Sequence, residues 1–228
     1  MPTAASIVRA LRAMGNPASV AGMARFGINP RGTLGVPIPK LRALARELGR
    51  DHRLAQALWR SGIHEARILA SMVADPDRTS VALMNRWAAA FDSWDVCDQV
   101  SMNLFRWTPH AYGRCTAWST DARPFVKRAA FALMAALAAG DRSAPEARFV
   151  RFLSTIGREA HDERDTVKKS VSWALRQIGK RNLRLSSRAL EVARRLAASE
   201  DPASRWVGRD AVRELSSPAT LARVRKRS

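Results

Sequence analysis

The chain is predicted to be all-α, and three observations carry that expectation. Apolar residues recur at helical spacing almost throughout, as in Leu41, Leu44, Ala45 and Leu48 or in Phe131, Met134, Ala135 and Leu137. Strand signals are nearly absent. Turn residues interrupt the pattern at short intervals, which gives helices of roughly 10–16 residues joined by short connections.

Taken in order, the first break is Gly15-Asn16-Pro17, followed by the Gly/Pro stretch from Gly27 to Pro39. His64-Glu65 opens a helix, and the next breaks fall at Asp75-Pro76-Asp77 and Thr108-Pro109. Between those two, Asp92-Ser93 offers an N-cap residue, so Trp94 to Phe105 is predicted helical. Ala139-Gly140-Asp141 and Asp201-Pro202 punctuate the second half, and the charged run His161-Asp162-Glu163-Arg164-Asp165 marks another helix start.

A weak internal repeat organises the second half. Val126, Arg128, Ala130 and Met134 match Val167, Lys169, Val171 and Leu175, and then Val207, Arg209, Ala211 and Leu215, at offsets of 41 and 40 residues. A period of about 40 with two helices per unit is the signature of a HEAT-like helical-repeat superhelix, an alpha-alpha solenoid whose units bury their apolar faces by stacking. A non-repetitive helical bundle is the alternative. Residues 1–228 are expected to form a single domain with a basic tail from about 219 to 228.

Charge points to the partner. The 228 residues hold 39 Lys+Arg against 20 Asp+Glu, a net +19, and the isoelectric point is near 11.6. Residues 1–120 carry 15 basic and 8 acidic side chains, whereas residues 121–228 carry 24 and 12. Such an excess attracts polyanions through long-range fields and counterion release, with nucleic acid the leading candidate. No strongly apolar basic helix offers a membrane anchor. Cys97 and Cys115 form neither a disulfide framework nor metal-ligand spacing. No signal-peptide core and no apolar run of about 18 residues is present, so a cytoplasmic protein is expected. No Walker loop, dinucleotide-binding glycine pattern, nucleophile elbow or zincin motif occurs, and no cofactor or metal is expected.

The candidate chemistry centres on Trp94-Asp95-Val96-Cys97-Asp98. On a helix Trp94 and Asp98 share a face one turn apart. Asp95 falls in the first turn, where a carboxylate stabilises the positive helix end without further function; for Asp98, a partly buried ion pair with arginine is the purely structural alternative. Trp59, Trp87, Trp107 and Trp118 lie in amphipathic runs and are expected to pack internally. Trp173 follows Lys168-Lys169 and precedes Arg176, so it is an aromatic set in a basic helix, a pattern suited to nucleic-acid contact. The recurring basic position, Arg128, Lys169 and Arg209, reads either as a ladder for phosphates on a concave face or as caps paired with neighbouring acids. The 161–165 run and His64-Glu65 are read as solvated capping, and Arg223 to Arg227 as a basic tail, disordered or on phosphate.

These residues together resemble the AlkD-type DNA alkylation repair glycosylases, from Met23-Ala24-Arg25-Phe26 to about Val212. The resemblance is carried by Gly35-Val36-Pro37-Ile38-Pro39 with Leu41-Arg42, by Trp94 to Asp98, by Lys127-Arg128-Ala129-Ala130 and by Ser172-Trp173-Ala174-Leu175-Arg176. It implies a HEAT-like superhelix with a basic concave face on duplex DNA, and removal of cationic N3- or N7-alkylated purines by a monofunctional glycosylase of base-excision repair. It implies Asp98 as catalytic carboxylate, Trp94 and Trp173 as aromatic walls, Arg128 as catalytic arginine and Arg176 as a DNA-facing cation. Lys127, Lys168, Lys169 and Arg209 complete the expected DNA contacts. The family's aromatic near the lesion can be Tyr; here it is Phe26, which keeps stacking and loses a hydroxyl. The implied partner is double-stranded DNA bearing alkylated purines, met by a monomer in a bacterial cytoplasm at the nucleoid. Some relatives bind unusual DNA structures without glycosylase activity, so a non-catalytic binder of branched or damaged DNA is the rival reading. A helical scaffold for an acidic protein is the third.

Overall fold

Polar residues at the sequence breaks act as helix caps. Asn16 accepts from the backbone N–H groups of Ala18 and Ser19 ahead of α2 (Pro17–Arg25), and Asp201 accepts from Ser204 ahead of α13 (Pro202–Leu215). In both, proline occupies the first helical position, where its missing N–H costs nothing. Thr3, Asp51, Ser80, Asn182 and Ser217 cap α1 (Ala4–Ala13), α4 (His52–Arg60), α6 (Val81–Ala89), α12 (Leu183–Ala197) and α14 (Pro218–Arg225) in the same way.

The computed structural model describes residues 2–226, which hold fourteen α-helices, one short 3-10 helix and no strand. The fold is an all-α helical repeat. Along the chain expected to be one continuous array, the residues group into two compact units, divided between Ala111 and Tyr112. Of the expected basic tail, residues up to Arg225 belong to α14, with Val224 buried, while Arg227 lies outside the described residues. Among the described residues no helix is long and apolar enough to cross a membrane.

In the first unit α5 (His64–Val73) is the central element, packing on α4, on α3 (Ile38–Leu48) and on α7 (Trp94–Asn103). Its residues Ile68, Leu69, Ala70 and Val73 are buried. Trp59 and Trp87 stack with ring centroids 4.0 Å apart and planes 2° apart, and Phe91 meets Trp59 edge-on. These two tryptophans are core, as expected, and so is Trp118 in the second unit. Trp107 is not: it is 56% exposed, with the Arg106 guanidinium 4.2 Å above its ring. The predicted helix to Phe105 ends at Asn103, and Leu104 turns the chain into the 3-10 helix Phe105–Trp107, so the apolar register that would bury Trp107 is lost.

The second unit holds the repeat. Here α11 (Asp165–Gly179) packs against both α9 (Pro124–Gly140) and α13, while α10 (Glu146–Glu159) packs against α12. Every matched apolar position is buried: Val126, Val167 and Val207; Ala130, Val171 and Ala211; Met134, Leu175 and Leu215. The loose period therefore marks equivalent core positions of successive helices. Helix α13 meets α12 at Gly208, where an added Cβ would lie 2.6 Å from the Ala193 carbonyl oxygen. Cys97 and Cys115, one in each unit, are buried thiols not joined by a disulfide.

Lys127 of α9 is buried, its ammonium 2.8 Å from Glu159 and 3.0 Å from Asp162. Arg164 also grips Asp162, so part of the charged run expected to be solvated is internal. Burial alone would raise the Asp162 pKa, but hydrogen bonds from Arg164 and Lys127 outweigh it and hold the carboxyl well below the usual range. The stability this gives is complete above the ordinary carboxylate pKa and is lost as pH falls through the depressed folded value. Lys127→Met takes the ammonium from the half-buried Glu159 and leaves the buried Asp162 to Arg164 alone, and is expected to cost about 3 kcal/mol, read as a lower urea midpoint. It should also flatten the loss of stability on acidification below about pH 4.

Candidate functional site

In the first unit the acidic–aromatic cluster is set by the start of α7. Ser93 holds the extended N-cap conformation, φ −151° and ψ 142°, but its hydroxyl does not cap the helix. It donates to Asp95 Oδ1 at 2.7 Å, and Asp95 Oδ2 meets His64 Nε2 at 2.8 Å. Burial would raise the Asp95 pKa; the His64 contact and the Ser93 hydroxyl outweigh it, and the carboxyl lies below its ordinary value. Asp92, the other expected cap, instead accepts from Asn29 at 3.1 Å and from Arg67 at 3.3 Å.

Trp94 and Asp98 lie one turn apart on α7, as their spacing predicts. Trp94 is half-buried, and its indole N–H donates to the Phe26 carbonyl at 2.9 Å. That bond anchors the polar edge of the ring. Asp98 is 8% exposed, next in sequence to the fully buried Cys97. Phe26 ends α2 with its side chain 78% exposed, an apolar ring held out into solvent beside the Trp94 anchor. Phe26, Trp94 and Asp98 are thus gathered on two connected elements.

In the second unit the expected cations divide into two groups. Lys168 pairs with Asp165 at 2.9 Å and lies 5.3 Å from the centroid of the Trp206 ring, itself partly exposed. Lys169 and Arg209 are exposed, and Lys169 reaches the exposed Asp165 at 3.4 Å. A solvent-exposed pair of that kind is weak and yields readily to a phosphate. Trp173 is half-buried on α11, four residues after Lys169 and on the same helical face.

Lys127, Arg128 and Arg176 differ from these. The Lys127 charge is matched inside the unit by Glu159 and Asp162. Arg176 pairs with Glu214 and with Asp210 at 3.4 Å, and Ser172 donates to the same Asp210 at 2.6 Å. Arg128 is 7% exposed and donates to the Thr166 carbonyl at 2.6 Å, which ties α9 to the head of α11. The recurring basic position is therefore not a uniform ladder: its first member is inside, because almost the whole length of α9 is buried, while Lys169 and Arg209 face solvent.

Sequence reasoning missed His64 and Glu65, which are buried rather than solvated. Their only sequence signal is an acid and an imidazole adjacent at a helix start.

An all-α helical repeat with a buried carboxylate beside a tryptophan in one unit and exposed cations on α11 and α13 of the other defines the class. The family model described as DNA alkylation repair enzyme matches residues 7–215, and the chain belongs to that family. In structure it is similar to a protein described as one of "a new family of proteins related to the HEAT-like repeat DNA glycosylases with affinity for branched DNA structures". The two share 18% sequence identity at a TM-score of 0.80, over 99% of this chain and 98% of the other, which shows a shared fold. No curated protein matches the chain in sequence.

Proposed function

We propose that the protein is a DNA glycosylase of alkylation base-excision repair that hydrolyses the N-glycosidic bond of cationic N3- or N7-alkylated purines in duplex DNA. The observation that carries this reading is the buried Asp98 one turn behind Trp94, in a member of a DNA alkylation repair family.

In the proposed reaction the bond between C1′ and the purine nitrogen breaks, and its electron pair stays with the base. An alkylated purine that is already cationic leaves as a neutral molecule and needs no general acid. The deoxyribose is left as an oxocarbenium-like cation, which takes up water at C1′ and loses a proton from that water. Asp98 stabilises the developing charge and orients the water, and its burial strengthens both effects. Trp94 is assigned to the sugar through its ring face, which attracts the cation, and Trp173 on α11 is proposed as an aromatic contact to the DNA.

Arg128 holds the head of α11, the helix that carries Lys168 and Lys169, and is proposed to act on the DNA through that placement. Lys168, Lys169 and Arg209 are the proposed phosphate contacts, while Lys127 and Arg176 serve as internal struts. Replacing Lys168 and Lys169 together by alanine is expected to weaken binding to duplexes of any sequence and to lower the salt slope of log K by about 2. An unchanged slope removes both from the interface.

The similarity to a protein described as having affinity for branched DNA favours a second reading, a non-catalytic binder of branched DNA. Incubation with duplex containing 7-methylguanine, with released base measured, separates the two. Release establishes the glycosylase; no release, together with tighter binding to a four-way junction than to duplex, establishes the binder.

A further inference from the structure

His64 and Glu65 are adjacent at the N-terminus of α5, and each reaches away from its own helix. A glutamate in a first helical turn ordinarily serves its own helix's N–H groups. Glu65 is fully buried and serves another segment instead. One carboxylate oxygen accepts from the backbone N–H groups of Leu34, Gly35 and Val36 at 3.0, 2.6 and 3.2 Å, and the other accepts from Leu34 at 2.9 Å. Only a backbone turned sharply inward offers three successive donors to one carboxylate. Gly35 supplies that turn at φ 79°, where an added Cβ would collide with the Asn16 carbonyl oxygen. The Gly35-Val36-Pro37 motif is thus the seat for Glu65.

The held loop carries the constraint onward. The Leu34 carbonyl accepts from the Asn16 N–H at 2.7 Å, and Asn16 caps α2, whose far end is Phe26. The Phe26 carbonyl accepts the Trp94 indole N–H at the start of α7. Asp95, the next residue, returns to His64, and the His64 backbone N–H donates to Gly32 at 2.9 Å. The chain of bonds therefore begins and ends on two neighbouring residues, and Phe26 and Trp94 lie along it. With both ends fixed on the central helix of the unit, a shift of α7 breaks the part-buried His64–Asp95 bond, and a shift of α2 breaks its bond to Leu34 or the Trp94–Phe26 bond.

We propose that His64 and Glu65 are positioning residues for the Phe26–Trp94–Asp98 cluster, closing a hydrogen-bonded circuit that fixes the Trp94 ring and, through α7, the Asp98 carboxylate. The proposal rests on the glycosylase reading for its catalytic consequence, and its geometric content stands without it. Both residues are buried, so they are assigned no direct contact with DNA.

The test uses the full chain labelled with ¹⁵N at its indoles. The Trp94 indole N–H resonance is assigned by its loss in Trp94→Phe. In Asp95→Asn and Glu65→Gln that resonance is expected to shift and its exchange with solvent to quicken at least tenfold, while those of Trp173 and Trp206 stay in place. His64→Ala should act like Asp95→Asn, and His64→Gln, which keeps a donor, should return the resonance most of the way to its wild-type behaviour. In single turnover on 7-methylguanine duplex, the first three variants should release base at least tenfold more slowly, with duplex affinity within about twofold of wild type. A purely structural role would lower the unfolding midpoint and leave the indole and the release rate of the folded protein unchanged; that result overturns the proposal. If wild type releases no base, the glycosylase reading fails and the indole resonance alone decides the circuit. If Glu65→Gln does not fold, the near-isosteric Asp95→Asn decides it.

Discussion

Asp98→Asn is expected to lower base release from 7-methylguanine duplex about a thousandfold, with duplex affinity equal to or above that of wild type. A unit negative charge some 4 Å from the developing sugar cation, at an effective dielectric near 20, is worth roughly 4 kcal/mol. At about 1.4 kcal/mol per decade, that is close to three orders of magnitude in rate. Asparagine keeps the shape of the side chain and removes the charge, and a urea midpoint measured alongside separates loss at the transition state from loss of folding. Affinity should hold or rise because the variant removes a negative charge from a protein that meets a polyanion. Single-turnover release and a separate binding titration give the two numbers. A variant within tenfold of wild type in release would remove Asp98 from the chemistry. The same arithmetic limits the substrate: a gain of this size serves a base that is already charged and falls short for a neutral one.

Gly208→Ala is expected to produce the largest loss of stability from the smallest chemical change. Its Cβ would lie 2.6 Å from the Ala193 carbonyl oxygen and equally near the Leu196 carbonyl carbon, both backbone atoms of α12. Backbone cannot swing aside as a side-chain tip does, so α12 and α13 must separate along their length. Overpacking of a core by one methyl group costs about 1–3 kcal/mol where side chains can adjust, and a clash with backbone should reach or exceed the top of that range. Gly113→Ala in α8 (Ala111–Trp118) is the control of opposite sign. Nothing lies within 4 Å of its added Cβ, and alanine in a helix interior should add about 0.5–1 kcal/mol. Urea midpoints of the two variants, at unchanged slope, should move in opposite directions.

Local grammar explains what the sequence made readable. Asn16-Pro17 and Asp201-Pro202 are caps because their chemistry acts within three residues. The repeat is visible because its apolar positions must all be buried, and they are. Trp94 and Asp98 share a face through helical spacing alone. What stayed hidden depends on partners far along the chain. Lys127 reads as a surface cation until Glu159 and Asp162 close on it, and Arg176 until Asp210 and Glu214 do. His64 and Asp95 are 31 residues apart. A charged run such as 161–165 looks solvated by composition, yet one member, Asp162, turns inward to meet a buried lysine. Trp107 failed for a different reason: a single break of register after Asn103 turned an apolar residue outward.

The two cysteines, Cys97 in the first unit and Cys115 in the second, give the chain a native pair of opening reporters. Both thiols are fully buried, and burial pushes the Cys115 thiol well above its ordinary pKa, so neither should meet an alkylating reagent until its helix opens. Under slow labelling with fast reclosing, each modification rate measures the free energy of local opening around that thiol. Mass spectrometry of peptides carrying one or the other cysteine would then rank the two units by resistance to opening in the unaltered protein. Repeating the measurement with bound duplex would show which unit the DNA holds shut.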